Sequence, residues 1–259
     1  MKLYFHYFSL HLRSLMEHKK SFFLMTLGNT LVTFSLLLGM LFLFQRFHGV
    51  KGFTLEEVMV CFSATLLGYA LAETFFRGFD LFPSLLANGS FDRILVRPRS
   101  AIFQVLAGNI ELGRLAGRML QAILMAGYSF GCGAVDWRPD RVLCLILMVA
   151  GTFCLFSGLF LIYAAISFFT TEGLEIMNIL TNGGQEFGSY PLVIYGKQVL
   201  FFTTFFIPLA CVQYYPLLYL LGRSQNPLLM LLPLAGAAFY LPAWLFWRVG
   251  VRHFKSTGS

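Results

Sequence analysis

The sequence predicts an all-α integral membrane protein with six transmembrane helices. Hydrophobic residues make up 58% of the 259-residue chain and charged residues only 12%, whereas about 25% charged residues is usual in soluble domains. Apolar runs of the roughly 20 residues needed to cross a bilayer recur along the whole length. We see no internal repeat, low-complexity linker or separate soluble segment. Residues 1–259 are therefore predicted to form a single transmembrane domain.

Residues 1–21 are predicted to form an amphipathic helix that lies in the membrane interface. A secretory signal peptide is the alternative, but the apolar run that follows is too long and no small-residue cleavage site follows it. The apolar stripe of the helix consists of Phe5, Phe8, Leu12 and Leu15, and the opposite stripe of His6, Arg13, Glu17 and Lys20.

The predicted spans are residues 22–44, 56–79, 115–134, 142–169, 197–213 and 229–248. An even number of spans places both termini on the same side of the membrane. With the N-terminus inside, 14 of the 19 Lys and Arg residues fall on the inner side and five on the outer side. Since basic residues accumulate on the cytoplasmic side, we expect both termini in the cytoplasm. The net charge of +7 then reflects orientation and does not indicate a nucleic-acid partner.

Two connections are predicted on the cytoplasmic side. The first, residues 80–114, contains Pro83 and Pro98, so its helices must be short and broken. The second, residues 170–196, has an amphipathic pattern that ends at a glycine pair.

On the outer side, residues 214–228 are apolar but interrupted by Pro216 and Pro227. An irregular apolar segment is stable at membrane depth only where protein shelters it. The pattern therefore indicates an external re-entrant or interfacial hairpin before the last span.

The sequence contains no recognisable catalytic or metal-binding motif. The five histidines lie in the termini or in a short outer loop, and no H-E-x-x-H or G-x-S-x-G motif occurs. We predict no catalytic residue, no metal site and no enzymatic activity. The cysteines, which form no C-x-x-C pair, are interpreted as small buried hydrophobic residues: Cys61, Cys132, Cys144, Cys154 and Cys211.

Five polar residues in the first two spans are candidates for a substrate path. Asn29, Thr30 and Thr33 form a polar patch on the first span, and Glu73 precedes Arg77 by one turn on the second. Ionisable groups within a membrane are costly and often functional. Two structural interpretations compete with this one: hydrogen bonds between helices for the patch, and a self-neutralising ion pair for Glu73 and Arg77.

The segment 89–98, Gly-Ser-Phe-Asp-Arg-Ile-Leu-Val-Arg-Pro, predicts a short helix in the first cytoplasmic connection. Gly89 or Ser90 can cap it, Asp92 suits its first turn, and Pro98 ends it. Its apolar and basic side chains would suit either a surface helix on anionic lipid or docking into a partner's groove.

The chain resembles the ABC-2 type transporter permeases in three places. These are G-x-F-D-x-x-L-x-R-P at 89–98, Tyr190-Pro191 with Tyr195, and the run from Pro208 through Tyr215-Pro216 to Leu220-Leu221-Gly222. The predicted layout agrees too, with an amphipathic first helix, six spans, a coupling loop at 80–114 and an external hairpin.

The resemblance implies an exporter subunit in the bacterial cytoplasmic (inner) membrane, paired with an identical or sister permease and driven by two ABC ATPase subunits. ATP and Mg²⁺ would be held by those ATPases, since this chain lacks the phosphate-binding motif G-x-x-x-x-G-K-[ST]. Drug-like, peptide or lipid-type substrates are implied. The ATPase-coupling residues would be Gly89, Ser90, Phe91, Asp92, Arg93, Leu95, Arg97 and Pro98.

Two other functions remain open from the residues alone. Transport by an energy-independent or ion-coupled carrier or channel would depend on Glu73. A non-transporting scaffold would function without any substrate path through the spans. For the exporter, replacement of Phe91 is expected to impair coupling more than folding.

Overall fold

The computed structural model describes residues 2–46, 49–136, 138–170 and 174–254. The described residues are 81% helical and contain no β-strand. The all-α prediction is therefore confirmed. The α-helices are α1 (Lys2–Glu17), α2 (Lys19–Arg46), α3 (Leu55–Asp80), α4 (Phe82–Ala87), α5 (Ser90–Leu95), α6 (Ala101–Gly108), α7 (Leu112–Gly131), α8 (Pro139–Ile166), α9 (Leu174–Asn178), α10 (Gly184–Gly188), α11 (Lys197–Phe205), α12 (Leu209–Val212), α13 (Tyr214–Leu220), α14 (Leu228–Leu231) and α15 (Leu234–His253).

Within the part of the chain that the structure describes, four helical segments are long and apolar enough to cross a membrane: Lys19–Arg46, Leu55–Ala87, Pro139–Ile166 and Leu228–His253. They overlap the predicted spans 22–44, 56–79, 142–169 and 229–248. The helix α7 overlaps a further predicted span, 115–134, and has 20 residues. Its arginines, Arg114 and Arg118, make it less apolar than the other four.

The long helices form one bundle. The helix α3 packs against both α7 and α8, while α2 covers α7 and α15 covers α8. We call the end that carries α4, α5 and α6 the lower end, and the end that carries residues 49–54, 132–136 and 221–227 the upper end. Very close approach of α8 and α15 requires glycine, because a Cβ on Gly151 would overlap Pro233 and one on Gly236 would overlap the Gly151 carbonyl.

The first turn of α3 is stabilised by a capping box that the sequence analysis overlooked. The Thr54 N–H donates to the Glu57 carboxylate at 2.9 Å, and the Glu57 N–H donates to the Thr54 hydroxyl at 3.5 Å. This reciprocal pattern satisfies donors that a helix start leaves open. The signal was present in the sequence as Thr-x-x-Glu before an apolar run.

Residues 174–195 differ from the prediction, which placed 170–196 as a connection at the cytoplasmic end. The segment follows α3 from the lower toward the upper end. The Tyr69 hydroxyl donates to Asn182 at 2.6 Å, and the Thr65 hydroxyl donates to the Gly188 carbonyl at 3.0 Å. At the upper end the Lys51 amine donates to the Val193 carbonyl at 3.0 Å. This segment, not 197–213, is therefore the fifth passage along the bundle.

A π-helical stretch, Ile179–Gly183, joins α9 to α10 inside this passage. The 3₁₀ turn Leu192–Tyr195 ends it. Interruptions of this kind are frequent at functional sites in helices.

Residues 197–220 form a helical hairpin and not the straight span predicted at 197–213. The helix α11 has nine residues, which gives it a length of about 14 Å against about 30 Å of hydrocarbon. The chain then bends by 86° before α12 and α13. Pro208, which has no N–H to donate, lies at the bend.

Both ends of this hairpin lie at the upper end of the bundle. Before it, Val193 contacts Lys51, and after it the Arg223 guanidinium donates to the Glu57 carboxylate at 2.5 Å. The helical hairpin therefore begins near Lys197, well before the predicted 214–228, and Lys197 belongs to the upper end.

Candidate functional site

The helix α5 projects at the lower end, where the sequence placed a short helix. Gly89 occupies the N-cap position with φ of 64°, a left-handed conformation that glycine adopts without a Cβ clash. The Ser90 hydroxyl does not cap the backbone but accepts a hydrogen bond from Arg93 at 3.0 Å. Asp92 lies in the first turn of the helix.

Phe91 is completely buried within the chain. The sequence prediction instead expected its side chain to be available to a partner. Its ring lies 5.0 Å from that of Phe82, 5.4 Å from Phe168 and 5.1 Å from Phe254, measured between centroids. Trp247 completes this group, 4.8 Å from Phe82. We call these five rings the aromatic junction. It joins α5 to α4, to the end of α8 and to α15.

The opposite side of α5 and the residues after it are exposed and carry both apolar and basic groups. We call this surface the tip, and its most exposed apolar residue is Val96, at 84%. Leu95 is 43% exposed. The sequence analysis missed Val96 because it treated only the motif positions as contact residues. The tip consists of Arg93, Leu95, Val96, Arg97, Pro98 and Arg99.

The helix α6 holds the tip in a fixed position. The Gln104 side-chain amide donates to the carbonyls of Ile94 and Arg99, both at 2.9 Å. In turn α6 packs on α3 so closely that a Cβ on Gly78 would overlap the Val105 backbone. The tip is therefore attached to the bundle at α3 as well as through the aromatic junction.

The first helix packs on α6 at the same end. The His11 ring nitrogen lies 3.1 Å from the Ala107 carbonyl, and the rings of Tyr4 and Tyr7 lie 6.3 and 6.5 Å from that of Phe103. Leu12 of the predicted apolar stripe is 44% exposed. Phe8 and Leu15 of that stripe are half-buried, so the stripe is only partly exposed.

Glu73 is buried, with 2% exposure, and its partners come mainly from α7. Arg114 donates to it at 2.9 Å, and Arg118 also pairs with it. Arg77, the partner predicted from sequence, lies 3.9 Å away and pairs more closely with Asp80. An ion cluster therefore joins α3 to α7, and the α7 arginines could not be assigned to it from local spacing.

The remaining predicted polar residues lie on α2. The Thr30 hydroxyl donates to the Thr26 carbonyl at 2.7 Å, and a Cβ on Gly117 would overlap that hydroxyl, so Thr30 serves the contact between α2 and α7. Asn29 is half-buried. The Thr33 side chain lies outside the described residues.

Within the described ranges, no group of three or more His, Cys, Asp or Glu side chains could hold a metal ion. All five cysteines are free thiols. Four are at least partly buried, but Cys132, after α7, is exposed, in contrast to its interpretation as a buried hydrophobic residue.

A family model described as ABC-2 family transporter protein matches residues 30–258. No curated protein and no solved structure matches the chain.

Proposed function

Because the match covers most of its length, the chain belongs to the ABC-2 family of transporter proteins, and we propose that it is the permease subunit of an ABC exporter. It is a multi-pass membrane protein. In the proposal, separate ATPase subunits bind ATP and Mg²⁺, and this chain forms the transport path with a second permease, identical or sister. The chain itself is proposed to be non-catalytic.

The observation that carries the proposal is the combination of the tip with the aromatic junction. The tip exposes apolar and arginine side chains, as docking in a partner's groove requires. Directly behind it, the fully buried Phe91 packs on Trp247 and Phe168. A displacement of α5 would therefore move α8 and α15, because close-packed interiors transmit strain.

The proposed topology has six crossings with both termini in the cytoplasm. The crossings are α2, α3, α7, α8, residues 174–195, and α14 with α15. With Lys197 moved to the upper end, 12 of the described Lys and Arg residues lie toward the lower end and six toward the upper end. The lower end, with the tip, then faces the cytoplasm, where ATPase subunits reside.

The substrate is proposed to move outward, away from the tip, and to be drug-like, peptide or lipid-type. The ion-coupled alternative relied on Glu73. Burial of that carboxylate among three arginines favours a structural task over reversible protonation.

Affinity purification of the tagged chain in mild detergent from its native cells tests the proposal. We expect a subunit with an ATP-hydrolysis motif to co-purify, and Val96→Asp and Arg97→Glu to reduce its recovery at least tenfold. Arg252→Glu is the matched control, since it reverses an exposed charge at the same end but outside the tip. The proposal fails if the wild-type chain recovers no such subunit.

A further inference from the structure

The fifth passage carries a stripe of exposed polar residues. Glu175, Asn178, Asn182 and Glu186 follow one another at spacings of three and four residues, and all four are exposed. Residues at these spacings share one face of a helix. The stripe therefore runs along the passage from α9 to α10.

Such a stripe is costly against hydrocarbon, because charged and amide groups lose their hydration there. It is favourable if it faces a water-filled space. In the proposed permease pair, that space is the transport path between the two subunits. The acidic residues Glu175 and Glu186 would give this face a negative potential.

At its upper end the stripe reaches a cavity of about 250 Å³ beside α3. The cavity is smaller than the roughly 300–1,000 Å³ of sites for drug-sized ligands, so it suits a head group better than a whole molecule. Four aromatic rings and one carboxylate dominate it: its lining residues are Phe62, Glu186, Phe187, Ser189, Tyr190 and Tyr195.

Two of the four rings contact each other, and a third is buried within the chain. Phe187 and Tyr195 meet edge to face, with centroids 5.0 Å apart, and Phe62 is buried with 2% exposure. The Ser189 hydroxyl is engaged, donating to the Gln185 carbonyl at 2.9 Å. Among the described residues, Glu186 makes no ion pair through its carboxylate, and the Lys51 amine is occupied by the Val193 carbonyl at 3.0 Å.

We propose that this cavity binds the ammonium head group of a cationic amphipathic substrate. Aromatic faces attract a cation through the ring quadrupole, and quaternary ammonium groups are recognised in this way. The Glu186 carboxylate supplies the opposite charge. The inference rests on the proposed transport function, whose substrate class it names.

The test is calorimetric titration of the purified full-length chain in nanodiscs with benzyltrimethylammonium and with neopentylbenzene, its neutral carbon isostere. We expect the cation to bind about tenfold more tightly than the isostere, the scale of a cation–π contact of about 1.4 kcal/mol. Glu186→Gln should reduce this preference, because the opposite charge is lost while the rings remain, and should leave binding of the neutral compound unchanged. Equal affinities for the two compounds in the wild type would overturn the proposal.

Two further variants sharpen the result. Glu175→Gln removes the same charge from the same stripe but outside the cavity, so it should retain the preference. Phe187→Leu keeps an apolar side chain without a ring, and it should weaken binding of the cation more than that of the isostere. If Glu175→Gln lost as much of the preference as Glu186→Gln, the effect would come from the negative potential of the whole stripe. The assignment of cation binding to the cavity would then be overturned.

Titration without an ATPase separates this inference from the proposed function. If an ATPase co-purifies with the chain but the cation shows no preference, only the cavity assignment fails. If the cation preference is present but no ATPase is recovered, the exporter proposal fails and the cation site stands.

Discussion

Truncation of Phe91 is the most direct test of the aromatic junction. Its side chain is fully buried among four other rings, and replacing a buried Phe by Ala costs about 3–5 kcal/mol through lost transfer energy and the cavity left behind. We therefore expect Phe91→Ala to destabilise the chain by about 4 kcal/mol. At roughly 2–4 °C per kcal/mol for a chain of this order of length, the unfolding temperature should fall by about 10 °C.

The measurement is thermal unfolding of the detergent-solubilised chain, followed by tryptophan fluorescence and by circular dichroism. Leu95→Ala is the matched control on the same short helix, because Leu95 is 43% exposed and should shift the midpoint by no more than about 2 °C. An unfolding temperature for Phe91→Ala equal to that of the control would refute the junction. The earlier expectation that Phe91 affects coupling more than folding would then regain support.

Three further predictions concern the bundle. Glu73→Gln leaves the half-buried Arg118 without its counter-charge and should destabilise the chain by about 3 kcal/mol. The double variant with Arg118→Gln should recover part of that loss in the same unfolding assay, and additive losses would contradict the ion cluster. Gly151→Val inserts side-chain atoms between α8 and α15 and should lower the free energy of unfolding by about 2 kcal/mol or more. Gly28→Ala, at a site with open space, should not destabilise the chain, and equal losses in the two variants would argue against the close contact. Lys197→Cys, in a background free of other cysteines, should react with a membrane-impermeant maleimide added outside intact cells. Labelling only after permeabilisation would instead support the predicted fifth span at 197–213, with Lys197 inside.

The long apolar helices are the part of the fold that the sequence predicts well. Hydropathy is a local property, so the runs that become α2, α3, α8 and α15 are visible without knowledge of their neighbours. The break at residues 81–101 was equally predictable, because Pro83 and Pro98 act on the adjacent backbone.

The sequence prediction put the fifth passage at 197–213, because the composition of residues 174–195 is typical of a connection between spans. Glu175 and Glu186 make residues 174–195 resemble a connection, while the apolar segment after Lys197 resembles a span. Only contacts between residues far apart in sequence, such as Tyr69 with Asn182, decide which of the two follows α3.

The candidate site shows the same division. The motif at 89–98 was recognisable, but its periodicity could not tell that Phe91 points into the bundle while Val96 is exposed. Nor could the spacing of Glu73 and Arg77 reveal that Arg114 and Arg118 approach from α7.

By itself, the sequence determined the class of this protein: an all-helical membrane chain of the ABC-2 family, with its apolar helices and a short basic helix at one end. The tertiary structure decided which segment forms the fifth passage, where the helical hairpin lies, and which groups neutralise Glu73. The physical reason is that hydropathy, proline breaks and helix caps act over a few residues, whereas burial and charge pairing depend on groups brought together across more than forty.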